Sequence, residues 1–197
     1  MFITLEGIDR SGKTTQAELL ARALGPDTVL VREPGGTEAS ERIRELVADP
    51  TIELEPVTEL LLFCAARAQL VAEVIRPRLA DGRDVVCDRF SDSTAAYQGA
   101  ARGVSVEVAV SVSELAARRL RPDVTVLLRI DPERAAARGG LGDDRFEGEG
   151  IELQRAVAEA YDRLARSDPG RIAVVDAERA PEEVHAGVMK AVEAARG

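Results

Sequence analysis

Lys13 and Thr14 end the run Gly7-Ile8-Asp9-Arg10-Ser11-Gly12-Lys13-Thr14, whose spacing G-x-x-x-x-G-K-[ST] is that of a phosphate-binding loop. Each residue type has a task. The glycines let backbone N–H groups turn inward with no Cβ in the way. A helix that starts here adds free N–H groups and its positive dipole end. Lys13 supplies a charge for β- and γ-phosphates, and Thr14 a hydroxyl for Mg²⁺. The segment from Gly7 to Thr15 is therefore a candidate site for a nucleoside triphosphate.

Other polar segments follow apolar runs further along the chain. Arg32-Glu33-Pro34-Gly35-Gly36-Thr37 follows one. A second precedes Asp88-Arg89-Phe90-Ser91-Asp92-Ser93-Thr94-Ala95-Ala96-Tyr97-Gln98-Gly99. Asp131, leading to Arg138 and a glycine-rich stretch, follows a third, and Asp176-Ala177 a fourth. One charged loop is ordinary. Several on one edge of a sheet, beside a phosphate loop, mark an active site. Such chemistry needs cations, and the candidates are Arg10, Lys13, Arg44, Arg89, Arg138 and Arg145. Arg22 and Arg118, on helices away from the strand ends, read as solvated charges.

The elements that position these residues alternate. Phe2-Ile3-Thr4-Leu5, Thr28–Val31, Asp84–Cys87, Val124–Ile130 and Ile172–Val175 read as buried strands. Helical signals cover 16–24, 38–47, 58–75, 105–120, 132–138, 151–166 and 181–195, with Asp49-Pro50 and Pro77 as stops. Gly139 to Asp144 is too glycine-rich for regular structure. Apolar, non-alternating strands between helices mean a parallel sheet covered on both faces, with ligands beyond the strands' carboxyl ends.

Composition agrees. The chain has 197 residues, 45% apolar and 31% charged, expected to form one domain with a sizeable core. No apolar run approaches the ~20 residues of a membrane span, and the start lacks the marks of a signal peptide. A net charge of −9 argues against nucleic acid as a partner. Cys64 and Cys87 lie in apolar runs and read as buried thiols of a reducing, cytoplasmic compartment. The single His185 reads as a surface residue, and no Cys/His cluster suits zinc.

R-E-P-G-G-T from Arg32, D-R-F-x-x-S-T-x-A-Y-Q-G from Asp88, D-R-F-E from Asp144 and L-L-F-C-A-A-R-A-Q from Leu61 together resemble the bacterial thymidylate kinases, across essentially the whole chain. The resemblance implies the P-loop nucleoside-monophosphate kinase fold: three layers, five parallel strands in order 2-3-1-4-5, helices on both faces and a small lid at about 139–148. It implies transfer of the γ-phosphate of ATP to dTMP, giving dTDP and ADP for nucleotide biosynthesis, with Mg²⁺, in a homodimer. Gly7 to Thr15 with Arg138 and Arg145 would hold ATP, Arg138 stacking on adenine beside the backbone after Asp176. Glu33, Pro34, Arg44, Phe63, Arg67, Arg89, Ser93, Thr94, Tyr97, Gln98 and Asp9 would hold dTMP. Arg89 and Arg44 would grip its phosphate, Phe63 would stack on thymine and Arg67 would donate to O4. Ser93 and Thr94 would line the base edge, and Tyr97 would crowd out a 2′-hydroxyl. Thr14 and Asp88, with Asp9 through water, would serve the metal; Asp88 reads equally as a salt-bridge partner. Arg10, Lys13, Arg89 and Asp9 would carry catalysis.

The chemistry fits that resemblance. A phosphate monoester has its second pKa near about 6, so the acceptor is largely dianionic and needs no general base. Family members place a basic residue in the phosphate loop or in the lid. Arg10 lies in the loop, and Gly139 to Asp144 carries no base, so Arg10 is expected to supply the transition-state charge. Two alternatives remain at this point: a sibling kinase for another nucleotide or deoxynucleoside, and a GTP-binding switch. The latter usually carries N-K-x-D, which is absent here.

Overall fold

A computed structural model describes residues 1–139 and 150–197. The glycine-rich stretch beyond Gly139, most of the expected lid, and Arg145 lie outside the described residues. Strands β1 (Phe2–Glu6), β2 (Val29–Arg32), β3 (Val85–Asp88), β4 (Val124–Arg129) and β5 (Ile172–Asp176) form a parallel sheet in the order β2-β3-β1-β4-β5. Central β1 is buried along its whole length. Its register, Leu5 to Asp88 and Glu6 to Leu127, brings the ends of β1, β3 and β4 to one edge.

Helices α1 (Lys13–Leu24) and α9 (Pro181–Arg196) pack on each other and on the strands. Ile3, Leu5, Val86, Val126 and Leu128 meet Leu20, Val184, Val188 and Val192 in the larger core. α2 (Glu38–Ala48) packs against α3 (Pro56–Leu70). Thr37 caps α2 by accepting the Ser40 N–H at 3.1 Å. Short α7 (Pro132–Ala137) follows β4, and long α8 (Ile151–Ser167) precedes β5. His185 on α9 is half-buried with its Nδ1 enclosed, so it is not the plain surface residue expected. Cys64 and Cys87 are free and buried.

Three stretches differ from the sequence reading. Pro77 does not close the long helix: α3 runs through a π-helical turn, Val71–Ile75, into α4 (Arg76–Ala80). Pro77 then falls in the first turn of α4, where a missing N–H is tolerated. The segment after Phe90 is helical, α5 (Ser91–Thr94) continuing as a π-helical stretch, Ala95–Ala101. Finally, α6 (Val106–Ala116) ends four residues before Leu120. Arg118 and Arg119 take left-handed φ values of 51° and 57°, reversing the chain so that Asp123 N–H reaches the Phe2 carbonyl and β4 can begin. Arg118 thus belongs to a turn and not to a helix.

Candidate active site

The phosphate loop leaves β1 at Gly7, whose φ is +146°. A Cβ there would stand 2.7 Å from the Leu128 carbonyl oxygen and 2.8 Å from Ser11 Oγ, so only glycine fits. Ile8 is buried in the core and anchors the loop. Gly12, in the left-handed region, caps α1, which leaves Thr14 and Thr15 exposed on its first turn. Lys13 folds back over the loop, donating to the Ile8 carbonyl at 2.6 Å and to Ser11 Oγ at 3.4 Å. Burial and the nearby Arg89 charge lower its pKa to about 8, against the pull of Asp9 and Asp88. A polyphosphate would restore the full charge.

Beside the loop lies a cavity of about 290 Å³. Asp9, Arg10, Lys13 and Thr14 line its floor, and Asp88, Arg89, Ser93, Thr94, Tyr97 and Gln98 come from β3 and the helix after it. Glu33, Pro34, Arg44, Phe63 and Arg67 complete the wall. The structure therefore brings together the residues expected to hold the acceptor. Arg138 lies outside this wall: its Nη1 donates to the Arg10 carbonyl at 3.0 Å and its Nη2 to that of Ala177. It joins the phosphate loop to the loop after β5, where an adenine ring was expected.

Arg89 has a left-handed φ of 69° and is ion-paired with Asp9. Its guanidinium also donates to the Gly7 carbonyl at 3.1 Å, Ser93 Oγ at 3.2 Å and the Tyr97 hydroxyl at 3.2 Å. The guanidinium lies over the Tyr97 ring, 5.0 Å from its centroid. Burial pushes the Asp9 carboxyl up, but Arg89 and Lys13 more than offset this and hold it below the usual range. The Asp9 N–H and carboxylate are gripped by Gln154 at 3.1 and 2.7 Å.

Arg67 is 1% exposed. Its Nε donates to Glu33 at 2.8 Å, and its Nη1 to Thr94 Oγ1 at 2.9 Å and Ser113 Oγ at 2.8 Å. The expected base-reading arginine is thus a braced ion pair at the cavity wall. Burial raises the Glu33 pKa, with Arg67 opposing. Arg44 reaches the Pro34 carbonyl at 3.3 Å, and Gln98 Nε2 donates to Glu59 at 2.9 Å.

The Thr14 hydroxyl donates to Asp88 Oδ2 at 2.6 Å, while Asp88 Oδ1 is buried without a protein partner. Asp88 is thus a hydroxyl-bound carboxylate with one oxygen open among the described residues. Hard oxygens of this kind suit Mg²⁺, which keeps waters and takes few protein ligands beside substrate phosphates. Among the described residues no group of three or more His, Cys, Asp or Glu side chains gathers as a metal site.

Sequence reasoning did not single out Glu6, Gln154, Tyr161 or Arg32. Arg32 lines the cavity, and the other three brace residues that do. Arg32 stood at the head of a recognised motif, and Glu6 left the weaker signal of a carboxylate at the end of an apolar strand.

Comparisons with known proteins agree with this geometry. A family model described as thymidylate kinase matches residues 5–188. Similar proteins include the thymidylate kinase of Pelobacter propionicus, 46% identical over 97% of this chain and 93% of its own. That of Deinococcus radiodurans is 45% identical over 98% and 96%. The crystal structure of thymidylate kinase from Ehrlichia chaffeensis superposes with a TM-score of 0.80 at 34% identity, covering 98% of both chains. The match in sequence, in fold and along nearly the full length shows that the chain belongs to the thymidylate kinase family.

Proposed function

We propose that the protein is an ATP-dependent thymidylate kinase: it transfers the γ-phosphoryl group of ATP to a phosphate oxygen of dTMP, giving dTDP and ADP. The observation that carries the reading is the single cavity that Lys13 and Thr14 share with Arg89, Arg44 and Phe63. Donor and acceptor sites open into one chamber, as direct in-line transfer requires. The bond from the γ-phosphorus to the bridging oxygen of ADP breaks as the bond to the acceptor oxygen forms. The acceptor is already a dianion at neutral pH, so no proton has to be removed.

The residues of the chain hold and neutralise. Lys13 and the loop N–H groups bind the β- and γ-phosphates. Arg89 and Arg44 hold the acceptor phosphate against the repulsion of the donor. Phe63 stacks on the base, Arg67, Ser93 and Thr94 line its edge, Gln98 stands beside them, and Tyr97 packs against the sugar. Arg138 packs on adenine and Arg10 meets the transferring group. Thr14 and Asp88 would hold Mg²⁺, with Asp9 acting through water, and the ion would supply charge neutralisation at the phosphates.

Two further readings have their own support. The exposed apolar residues Val57 and Leu61 on α3, and Val108 and Leu115 on α6, lie on helices packed side by side, which supports a homodimer through this face. Among the described residues no helix is long and apolar enough to cross a membrane, in keeping with a cytoplasmic enzyme acting on small molecules.

A phosphorylation panel over dTMP, dUMP, UMP, dCMP and AMP tests the proposal. Turnover is expected to favour dTMP strongly, with ADP formed in equal amount. Equal or faster turnover of another acceptor would overturn it in favour of a sibling kinase. Nucleotide binding without acceptor-dependent turnover would overturn it in favour of a switch.

A further inference from the structure

Glu6 closes the central strand and is fully buried, with two N–H groups and two hydroxyls around its carboxyl. Its Oε1 accepts the Phe90 N–H at 2.7 Å and the Ser93 N–H at 3.3 Å. Its Oε2 lies 2.6 Å from Ser93 Oγ and 2.8 Å from the Tyr161 hydroxyl. Those two hydroxyls are themselves 2.8 Å apart. Three oxygens therefore form a closed triangle, and every side is of hydrogen-bond length.

A proton count follows. Each side of the triangle needs one proton. The Ser93 and Tyr161 hydroxyls supply one each. With an ionised carboxylate, one side would set two lone pairs face to face at a hydrogen-bond distance. A carboxylic acid provides the third proton, and the ring closes with each oxygen donating once around it. Arg89 also donates to Ser93 Oγ, at 3.2 Å, but from outside the triangle.

The same cluster sits behind the turn that carries Arg89. That residue adopts a left-handed backbone, which a side chain disfavours. Among the bonds that hold the turn are Arg89 N–H to the Leu5 carbonyl at 3.0 Å, the Cys87 thiol to the Arg89 carbonyl at 3.0 Å, and Phe90 N–H to Glu6 at 2.7 Å. We propose that Glu6 is a neutral carboxylic acid in the folded enzyme and that in this form it is the positioning residue for Arg89. The functional half of the proposal rests on the reading of Arg89 as a ligand of the acceptor phosphate.

Burial favours the neutral form, and the surrounding charges divide. Asp92 on α5 faces it, as do the Tyr161 hydroxyl on α8 and Arg89 in the turn; Lys13 on α1, Arg67 on α3 and the Cys87 thiol on β3 feel its charge. Burial and then Asp92 push its pKa up to about 7, while Ser93, Tyr161 and Arg89 pull it down. Arg89 is already matched by Asp9. A second anion behind it would weaken the field offered to an incoming phosphate dianion.

The test compares Glu6→Gln with Glu6→Leu in the full-length enzyme. The carboxamide has the shape of the neutral acid, with an acceptor for Phe90 and a donor for the triangle. Glu6→Leu is expected to raise the KM for dTMP about tenfold or more while leaving that for ATP within about twofold, and Glu6→Gln to restore it. The ratio of wild-type to Glu6→Gln kcat/KM for dTMP should fall as pH rises from about 6 to about 8, as only the wild type ionises. Infrared spectra near pH 6 should contain a protonated-carboxyl stretch that is absent from Glu6→Gln, whatever Arg89 binds. Absence of that band from the wild type would overturn the neutral acid. A Gln variant as impaired as the Leu variant, or a ratio independent of pH, would overturn its positioning role. Arg89→Ala with an unchanged KM for dTMP would overturn the reading of Arg89 and leave the band untouched.

Discussion

Arg89 is held by Asp9, Gly7, Ser93 and Tyr97, so an acceptor phosphate bound there would meet a guanidinium whose position is already set. Lys13 is likewise folded onto the loop it serves. Both can therefore act without reorganising during the transfer. Lys13→Ala should lower kcat by about 10²-fold or more with an unchanged circular dichroism spectrum; a folded mutant with wild-type turnover would remove the phosphate-loop assignment. Arg10→Gly should cut kcat by about 10³-fold with little effect on either KM, as for an arginine that meets only the transferring group. Arg145→Ala is its control, and steady-state kinetics of the two variants locate the charge. The loop residues and Arg89 were legible because motifs fix them within short strings. Gln154 was not: it grips Asp9 from 145 positions away, and only the fold brings the two together.

At the scale of elements, α3 presents Phe63 and Arg67 four residues apart toward the cavity, as its spacing predicts. The two are not equivalent targets. Phe63 is half-buried at the wall, whereas Arg67 is a buried cation paired with Glu33. Removing one partner of such a pair costs about 3–5 kcal/mol of stability. Arg67→Ala should therefore lower Tm sharply, by calorimetry, and its kinetics will mix binding with unfolding. Phe63→Ala should keep its Tm and raise the KM for dTMP alone, in line with the ~1–3 kcal/mol of a base stack. An equal rise for ATP would mark Phe63 as core. The strands were legible as apolar runs, and the starts of α7 and α9 fell on their prolines. The end of α6 was not, because Arg118 and Arg119 reverse the chain without the glycine that usually marks such a turn. Pro77 misled because a π-helical turn before it moved the proline into a new first turn.

Across the molecule, α3 and α6 carry the three most exposed large apolar side chains among the described residues, Leu115, Val57 and Leu61. Leu115 is 79% exposed and Leu61 52%. If this face joins two copies, Leu61→Asp and Leu115→Asp should halve the mass measured by sedimentation equilibrium, with the secondary structure retained; a wild-type chain already sedimenting as a monomer would refute the dimer. The order of the five strands was legible only through the resemblance, since apolar runs say which segments are strands and not which are neighbours. One backbone angle reaches further than the protein itself. Arg10 has a φ of 61°, a conformation that glycine adopts without strain. A single-base change exchanges arginine and glycine codons, and the loop keeps its path under either residue. If Arg10 is the cation that meets the transferring group, that cation is a detachable part: lineages could lose it here after gaining one in a neighbouring segment, with no refolding in between. Mutational scanning of position 10 should accordingly find glycine tolerated for folding and rescued for growth by a basic residue supplied elsewhere in the site.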